Sequence, residues 1–116
     1  PDMVHIVMEK ATDFLIEYVK AYRKVGAAGV VLAEPLTGLL SPAMAEEFSE
    51  PYVRRLVEAV QTDDFIVIYH NCGNTLPLVD GILSTGAAAY HFGNAVDMEE
   101  MLRQTGENAK WFFSVE

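Results

Sequence analysis

The amino-acid sequence predicts an α/β fold in which parallel strands alternate with helices. Short apolar runs recur along the chain, amphipathic helical segments separate them, and a hydrophobic content of 51% is enough for one sizeable core. Strands that are regularly separated by helices build parallel sheets through right-handed crossovers. The strands are predicted near residues 29–34, 65–70, 87–92 and 109–115.

The segments between these runs carry the spacing and the capping residues of helices. From Asp2 to about Val25 apolar residues recur at steps of three or four, which is the spacing of one helix face. Caps and first-turn prolines mark where later helices begin. These starts are predicted at Ser41-Pro42, Pro51, Thr75 to Pro77 and Asp97.

Composition and charge exclude several classes of function. The 17 acidic residues outnumber the 8 basic ones and give a formal charge of −9, which repels a phosphate backbone and argues against nucleic-acid binding. No apolar run approaches the roughly 20 residues of a membrane span. The single cysteine, Cys72, excludes an intrachain disulfide and suits a reducing compartment. We therefore expect a cytoplasmic protein with no membrane contact.

Polar residues stand at the ends of the predicted strands. Glu34 follows the first, His70 and Cys72 end the second, and His91 and Asn94 end the third. Both a doubly wound sheet and a barrel fit the alternation of strands and helices. The sequence has neither GxGxxG nor GxxxxGK[ST], so no phosphate-binding loop favours a nucleotide-binding sheet. In a barrel these strand ends would converge on one face, where active sites are assembled.

The pair of His70 and Cys72 has the residue types and the spacing of half a zinc site. Residues i and i+2 of an extended backbone project to the same side, so the imidazole and the thiolate can meet one ion. Gly73 and Asn74 would let the backbone turn beneath that ion. The alternative is a hydrogen-bonded barrel histidine beside a small buried cysteine, and the two residues alone favour it.

Three other strand-end residues have both a functional and a structural interpretation. Glu34 could be an acid/base or zinc-associated carboxylate, or it could be a solvated loop or capping residue. His91 could be a ligand, but a hydrogen-bonded core or pocket histidine is favoured at its position. Asn94 most simply serves the turn that follows the third strand.

The order and spacing of several motifs resemble a known family. These are LAEP (32–35), LLSP (39–42), EFSEPY (47–52), HNCGNT (70–75) and YHFGNAVD (90–97). With these motifs the chain resembles the uroporphyrinogen decarboxylase superfamily, in particular its methylcobamide:thiol (coenzyme M) methyltransferase-like branch. The resemblance implies that residues 1–116 are a fragment, about half and from the C-terminal side, of one TIM (β/α)₈ barrel.

The H-x-C-G segment carries the resemblance to the methyltransferase branch. By that resemblance His70 and Cys72 are zinc ligands, Glu34 tunes or completes the zinc shell as a catalytic carboxylate, and His91 and Asn94 line the cofactor pocket. The implied reaction moves a methyl group between a corrinoid (methylcobamide) protein and a thiol. The expected partners are a small thiol or a tetrapyrrole-type substrate and a corrinoid protein.

Two departures from the family pattern keep other functions open. The third ligand of the family, a cysteine, is absent and is expected downstream, and Phe113 stands where the family usually has a glycine. The catalytic aspartate of the decarboxylases belongs to the N-terminal half of the barrel. The alternatives are therefore a metal-free uroporphyrinogen decarboxylase and a corrinoid- or tetrapyrrole-binding barrel without catalysis.

Overall fold

A computed structural model describes residues 2–105 and the backbone of residues 111–114. Its four strands form one sheet in the order β1-β2-β3-β4, and every neighbouring pair is parallel. The predicted strands are confirmed, with the described ends shifted by one or two residues, while predicted strand positions 109, 110 and 115 lie outside the described residues. The strands are β1 (Gly29–Ala33), β2 (Ile66–Asn71), β3 (Ala89–Phe92) and β4 (Trp111–Ser114).

Helices connect the strands as the amphipathic spacing predicts. Ser41 caps its helix through a hydrogen bond that the Met44 amide donates to the Ser41 hydroxyl, and the carboxylate of Asp97 accepts from the amides of Glu99 and Glu100. The α-helices are α1 (Asp2–Lys24), α2 (Pro42–Phe48), α3 (Glu50–Val60), α4 (Val79–Ser84) and α5 (Met98–Thr105), and 3₁₀ turns cover Thr37–Leu39 and Leu76–Leu78.

The hydrophobic core lies on one face of the sheet. Val67 and Tyr69 of β2 and Tyr90 and Phe92 of β3 are buried in one cluster with side chains from all five helices. The alternating residues on the other face are more open, and Val31 of β1 is 62% exposed. A doubly wound sheet has helices on both faces, whereas a barrel has them only outside. Coverage of one face is consistent with part of a barrel.

In the described part of the chain, no helix is both long enough and apolar enough to cross a membrane.

Candidate functional site

The carboxyl ends of β1, β2 and β3 bring the predicted residues to the same edge of the sheet. Ala33, His70 and His91 are direct partners across the parallel ladders, and the backbone of Phe113 continues this row into β4. His70 alternates with buried Tyr69, so its side chain lies on the face that the helices leave open. This face would be the inside of a closed barrel.

The structure brings His70 and Cys72 together as their spacing predicts. The Nε2 atom of His70 lies 2.8 Å from the Sγ atom of Cys72, and both side chains are half-buried. Gly73 has a φ of +78°, a conformation that side-chain-bearing residues rarely adopt, and it turns the chain directly after the cysteine. The strand end and the turn therefore hold a nitrogen donor and a sulfur donor side by side.

A second histidine contacts the opposite nitrogen of His70. The Nδ1 atoms of His70 and His91 are 2.6 Å apart, and the ring centroids are separated by 4.7 Å. The result is a continuous row of three side chains in which His70 stands between Cys72 and His91. Sequence reasoning placed both histidines at strand ends but did not predict this contact, because the contact depends on the register between β2 and β3.

The donor set fits zinc as one half of a site. Two ligands of a tetrahedral zinc at ordinary N and S distances stand roughly 3.5 Å apart, so the His70 and Cys72 donors need to separate by less than about 1 Å to share an ion. His91 faces the other nitrogen of His70 and cannot join the same ion. Within residues 2–105, no three His, Cys, Asp or Glu side chains are grouped to hold a metal. A third protein ligand would have to come from elsewhere.

Glu34 lies at the same edge of the sheet but on its other face. Its Oε2 atom accepts hydrogen bonds from the Tyr69 hydroxyl at 2.6 Å and the Ser49 hydroxyl at 2.9 Å. Tyr69 projects to the helix-covered face, and the carboxylate borders a cavity of about 120 Å³ that residues of α1, β1 and α3 line. The structure therefore does not bring Glu34 together with His70 and Cys72, and its catalytic role remains a prediction.

The environment of Tyr69 keeps this tyrosine protonated. Burial, followed by the neighbouring Glu34 carboxylate, raises the pKa of Tyr69 well above its usual range. The phenol therefore remains a hydrogen-bond donor to Glu34 at any physiological pH. The hydrogen bond joins the buried Tyr69 hydroxyl to a carboxylate, and a hydrogen bond to a charged group stabilises a fold more than one between neutral groups. This contact therefore has a structural explanation without any catalysis.

Asn94 lies in the turn that follows β3, and its side chain is exposed. This position agrees with the simple interpretation that the residue serves the turn. No hydrogen bond between Asn94 and the row of Cys72, His70 and His91 is found among the described residues. Its assignment to a cofactor pocket therefore stays a prediction.

Two glycines flank the backbone of Cys72, a proximity that the sequence did not predict. A Cβ atom on Gly38, in the loop after β1, would stand 2.7 Å from the carbonyl oxygen of Cys72. A Cβ atom on Gly93, after β3, would stand 3.4 Å from the Cα atom of Cys72. The turn that carries the thiol is thus enclosed by the loops that follow the two neighbouring strands. Of these two glycines, Gly38 is the one at which a side chain cannot fit without moving the backbone.

Beside this turn the loop hydroxyl of Thr37 is buried without a hydrogen-bond partner among the described residues. Replacing Thr37 by valine is expected to leave stability unchanged or to raise it by about 1 kcal/mol, because an unsatisfied polar group is removed at constant shape. The matched control is Thr85→Val, since the equally buried Thr85 hydroxyl donates to the Ile82 carbonyl at 2.6 Å. That variant should lose about 1 kcal/mol. Urea unfolding of the full-length protein measures both, and equal losses would mean that Thr37 has a partner.

Comparison with known proteins agrees with this architecture. The sequence matches the family of uroporphyrinogen decarboxylases (URO-D) over residues 1–110. The chain belongs to this family. It is 38% identical to a uroporphyrinogen decarboxylase of Desulfotalea psychrophila over 77 residues, which are 66% of this chain and 23% of that protein.

Other relatives extend the similarity over more of the chain. It is 31% identical over 101 residues to the Arabidopsis thaliana protein named uroporphyrinogen decarboxylase 2, chloroplastic, which covers 86% of this chain and 26% of that protein. The Xylella fastidiosa uroporphyrinogen decarboxylase is 27% identical over 109 residues, or 90% of this chain and 30% of that protein. The chain thus spans about a quarter of the length of these relatives. Their names support the family and do not support the narrower methyltransferase branch.

Proposed function

We propose that the protein containing this chain is a decarboxylase of the uroporphyrinogen type, which removes carboxylate groups of a tetrapyrrole substrate as CO₂. The support is the similarity to relatives of that name over 66% to 90% of the chain. In this proposal the described strand ends form part of the substrate-facing wall, and the reacting groups belong to the rest of the barrel.

The distribution of charge defines what this chain would contribute to such an enzyme. Substrate carboxylates need cations, yet the arginines with described contacts are engaged away from the row of Cys72, His70 and His91. Their partners are the Val60 carbonyl for Arg23, Ser84 for Arg54, Asp13 for Arg55 and Glu100 for Arg103. The arginines that would hold a polycarboxylate are therefore expected from outside the described residues, and the row of Cys72, His70 and His91 would contact the tetrapyrrole rings.

A second candidate function is zinc-dependent methyl transfer from a corrinoid protein to a small thiol. One observation favours it, namely the 2.8 Å contact between His70 Nε2 and Cys72 Sγ on the open face of the sheet. His70 and Cys72 would hold the metal together with a third ligand from outside the chain. Bound zinc would supply Lewis acidity that lowers the pKa of a thiol substrate. A metal-free decarboxylase has no need of this pair.

Parallel assays on the full-length protein distinguish the two functions. In the first, uroporphyrinogen is incubated without oxygen, and porphyrins with fewer carboxylates are separated after oxidation. In the second, zinc content is measured, and loss of methylcobalamin absorbance is followed in the presence of 2-mercaptoethanesulfonate. The decarboxylase proposal expects turnover only in the first assay, and turnover only in the second would replace it with methyl transfer. Tetrapyrrole binding without either reaction would indicate a barrel that has lost catalysis.

A further inference from the structure

The two nitrogens of His70 are both engaged, and they are engaged by different partners. Nε2 faces the Cys72 sulfur at 2.8 Å, and Nδ1 faces Nδ1 of His91 at 2.6 Å. A neutral imidazole carries one N–H group and one lone pair. The position of the proton between the two histidines therefore decides whether His70 directs an N–H group or a lone pair at Cys72.

Two arrangements are possible for the neutral pair. If His70 donates its Nδ1–H to His91, the Nε2 lone pair of His70 points at the cysteine and can accept a proton or bind a metal. If His91 donates instead, His70 carries its proton on Nε2 and can only donate towards the sulfur. The second arrangement blocks metal binding at Nε2.

We infer that His91 is a positioning residue that accepts a hydrogen bond from Nδ1–H of His70 and so directs the Nε2 lone pair of His70 at Cys72 Sγ. A histidine that binds a metal through one nitrogen donates its other N–H to an acceptor that fixes the tautomer and the ring orientation. Across the sheet, the partners of this pair are Ala33 in β1 and Phe113 in β4, whose side chains have no hydrogen-bonding group. Among these four paired residues, His91 alone supplies an acceptor to His70.

This inference rests on the second proposed function, because a histidine that binds zinc through Nε2 must offer a lone pair on that atom. The 2.6 Å contact between the two Nδ1 atoms is present without zinc, and the tautomer of His70 can be measured without it. The role of His91 and the existence of a zinc site can therefore be tested separately.

The first measurement is the tautomer of His70 in metal-free, full-length protein at a pH well above 7, where ordinary imidazoles are neutral. Nitrogen-15 chemical shifts of the imidazole ring distinguish a protonated from an unprotonated nitrogen. We expect wild-type His70 to be protonated on Nδ1. Protonation on Nε2 in the wild-type protein would overturn the inference without any variant.

Two variants separate the acceptor from the ring. In His91→Asn the side-chain oxygen stands close to where the imidazole Nδ1 was, so the acceptor is kept, whereas His91→Phe keeps a ring and removes the acceptor. We expect the Nδ1–H tautomer of His70 to persist in His91→Asn and to be lost in His91→Phe. An unchanged tautomer in a folded His91→Phe protein would contradict the role assigned to His91.

Zinc affinity gives the second readout, with zinc alone as the probe and a chromophoric chelator as the competitor. Loss of the partner that orients a metal-binding histidine typically weakens metal binding by about 10- to 100-fold. We expect a weakening of this size in His91→Phe and most of the affinity to return in His91→Asn. Equal affinities in wild type and His91→Phe would contradict the inference. If the wild-type protein binds no zinc, the zinc proposal fails, while the tautomer measurement still decides the role of His91.

Discussion

Replacing Cys72 by alanine is expected to lower the zinc affinity of the full-length protein by more than about 100-fold if the methyl-transfer proposal is correct. Loss of a residue that hydrogen-bonds to a metal ligand weakens metal binding by about 10- to 100-fold, and loss of the ligand itself should weaken it more. The site would keep His70 and the external ligand, and two protein donors compete poorly with water. Competition with a chromophoric chelator, followed by metal analysis after dialysis, measures the loss.

Two further variants make the Cys72 result specific. Cys72→Ser keeps the size of the side chain but replaces the thiolate by a weak ligand, so it should bind zinc almost as poorly as the alanine variant. His5→Ala removes a histidine of α1, which contacts the Tyr52 hydroxyl through Nδ1 at 2.6 Å and has no part in the proposed zinc site. This variant should bind zinc like the wild-type protein. Unchanged zinc in a folded Cys72→Ala protein would remove the metal from the proposal and leave the decarboxylase.

The fold was predictable from the sequence because its signals are local. Each strand is a short apolar run, and each helix has amphipathic spacing with a cap such as Ser41 or Asp97. The parallel orientation of the strands follows from their alternation with helices. The alternation of strands and helices fits a doubly wound sheet as well as a barrel. The structure favours the barrel because all five helices pack on one face of the sheet, and no single segment of the sequence shows this packing.

The site was predictable only where its geometry is local. His70 and Cys72 share a side because they are two residues apart in extended backbone, and this was confirmed. Glu34 lies one residue beyond Ala33, the partner of His70 across the ladder, so its side chain falls on the opposite face. Predicting that placement, or the contact of His70 with His91, requires the register between strands, which the sequence of a single chain does not state.

Gly38 is the clearest case of a residue whose importance is visible only in three dimensions. Replacing it by alanine places a Cβ atom 2.7 Å from the Cys72 carbonyl oxygen and 3.4 Å from the Asn74 amide nitrogen. Both contacts are backbone atoms, which cannot rotate away as the end of a side chain can. Overpacking of this kind typically costs about 1–3 kcal/mol. We expect Gly38→Ala to lower the free energy of unfolding of the full-length protein by about that amount.

The same substitution should also change the site, because the atoms that must yield belong to the turn that carries the thiol. Gly93→Ala is the matched control, since its Cβ atom would approach the same residue from the next strand at 3.4 Å from Cys72 Cα and 3.7 Å from Cys72 Cβ, which is close to ordinary contact. It should lose less than about 1 kcal/mol. Urea unfolding gives the stabilities, and a crystal structure of each variant gives the distance between His70 Nε2 and Cys72 Sγ. We expect this distance to lengthen in Gly38→Ala and to stay unchanged in Gly93→Ala. An unchanged distance in a Gly38→Ala protein of wild-type stability would show that the loop after β1 does not hold the thiol in place.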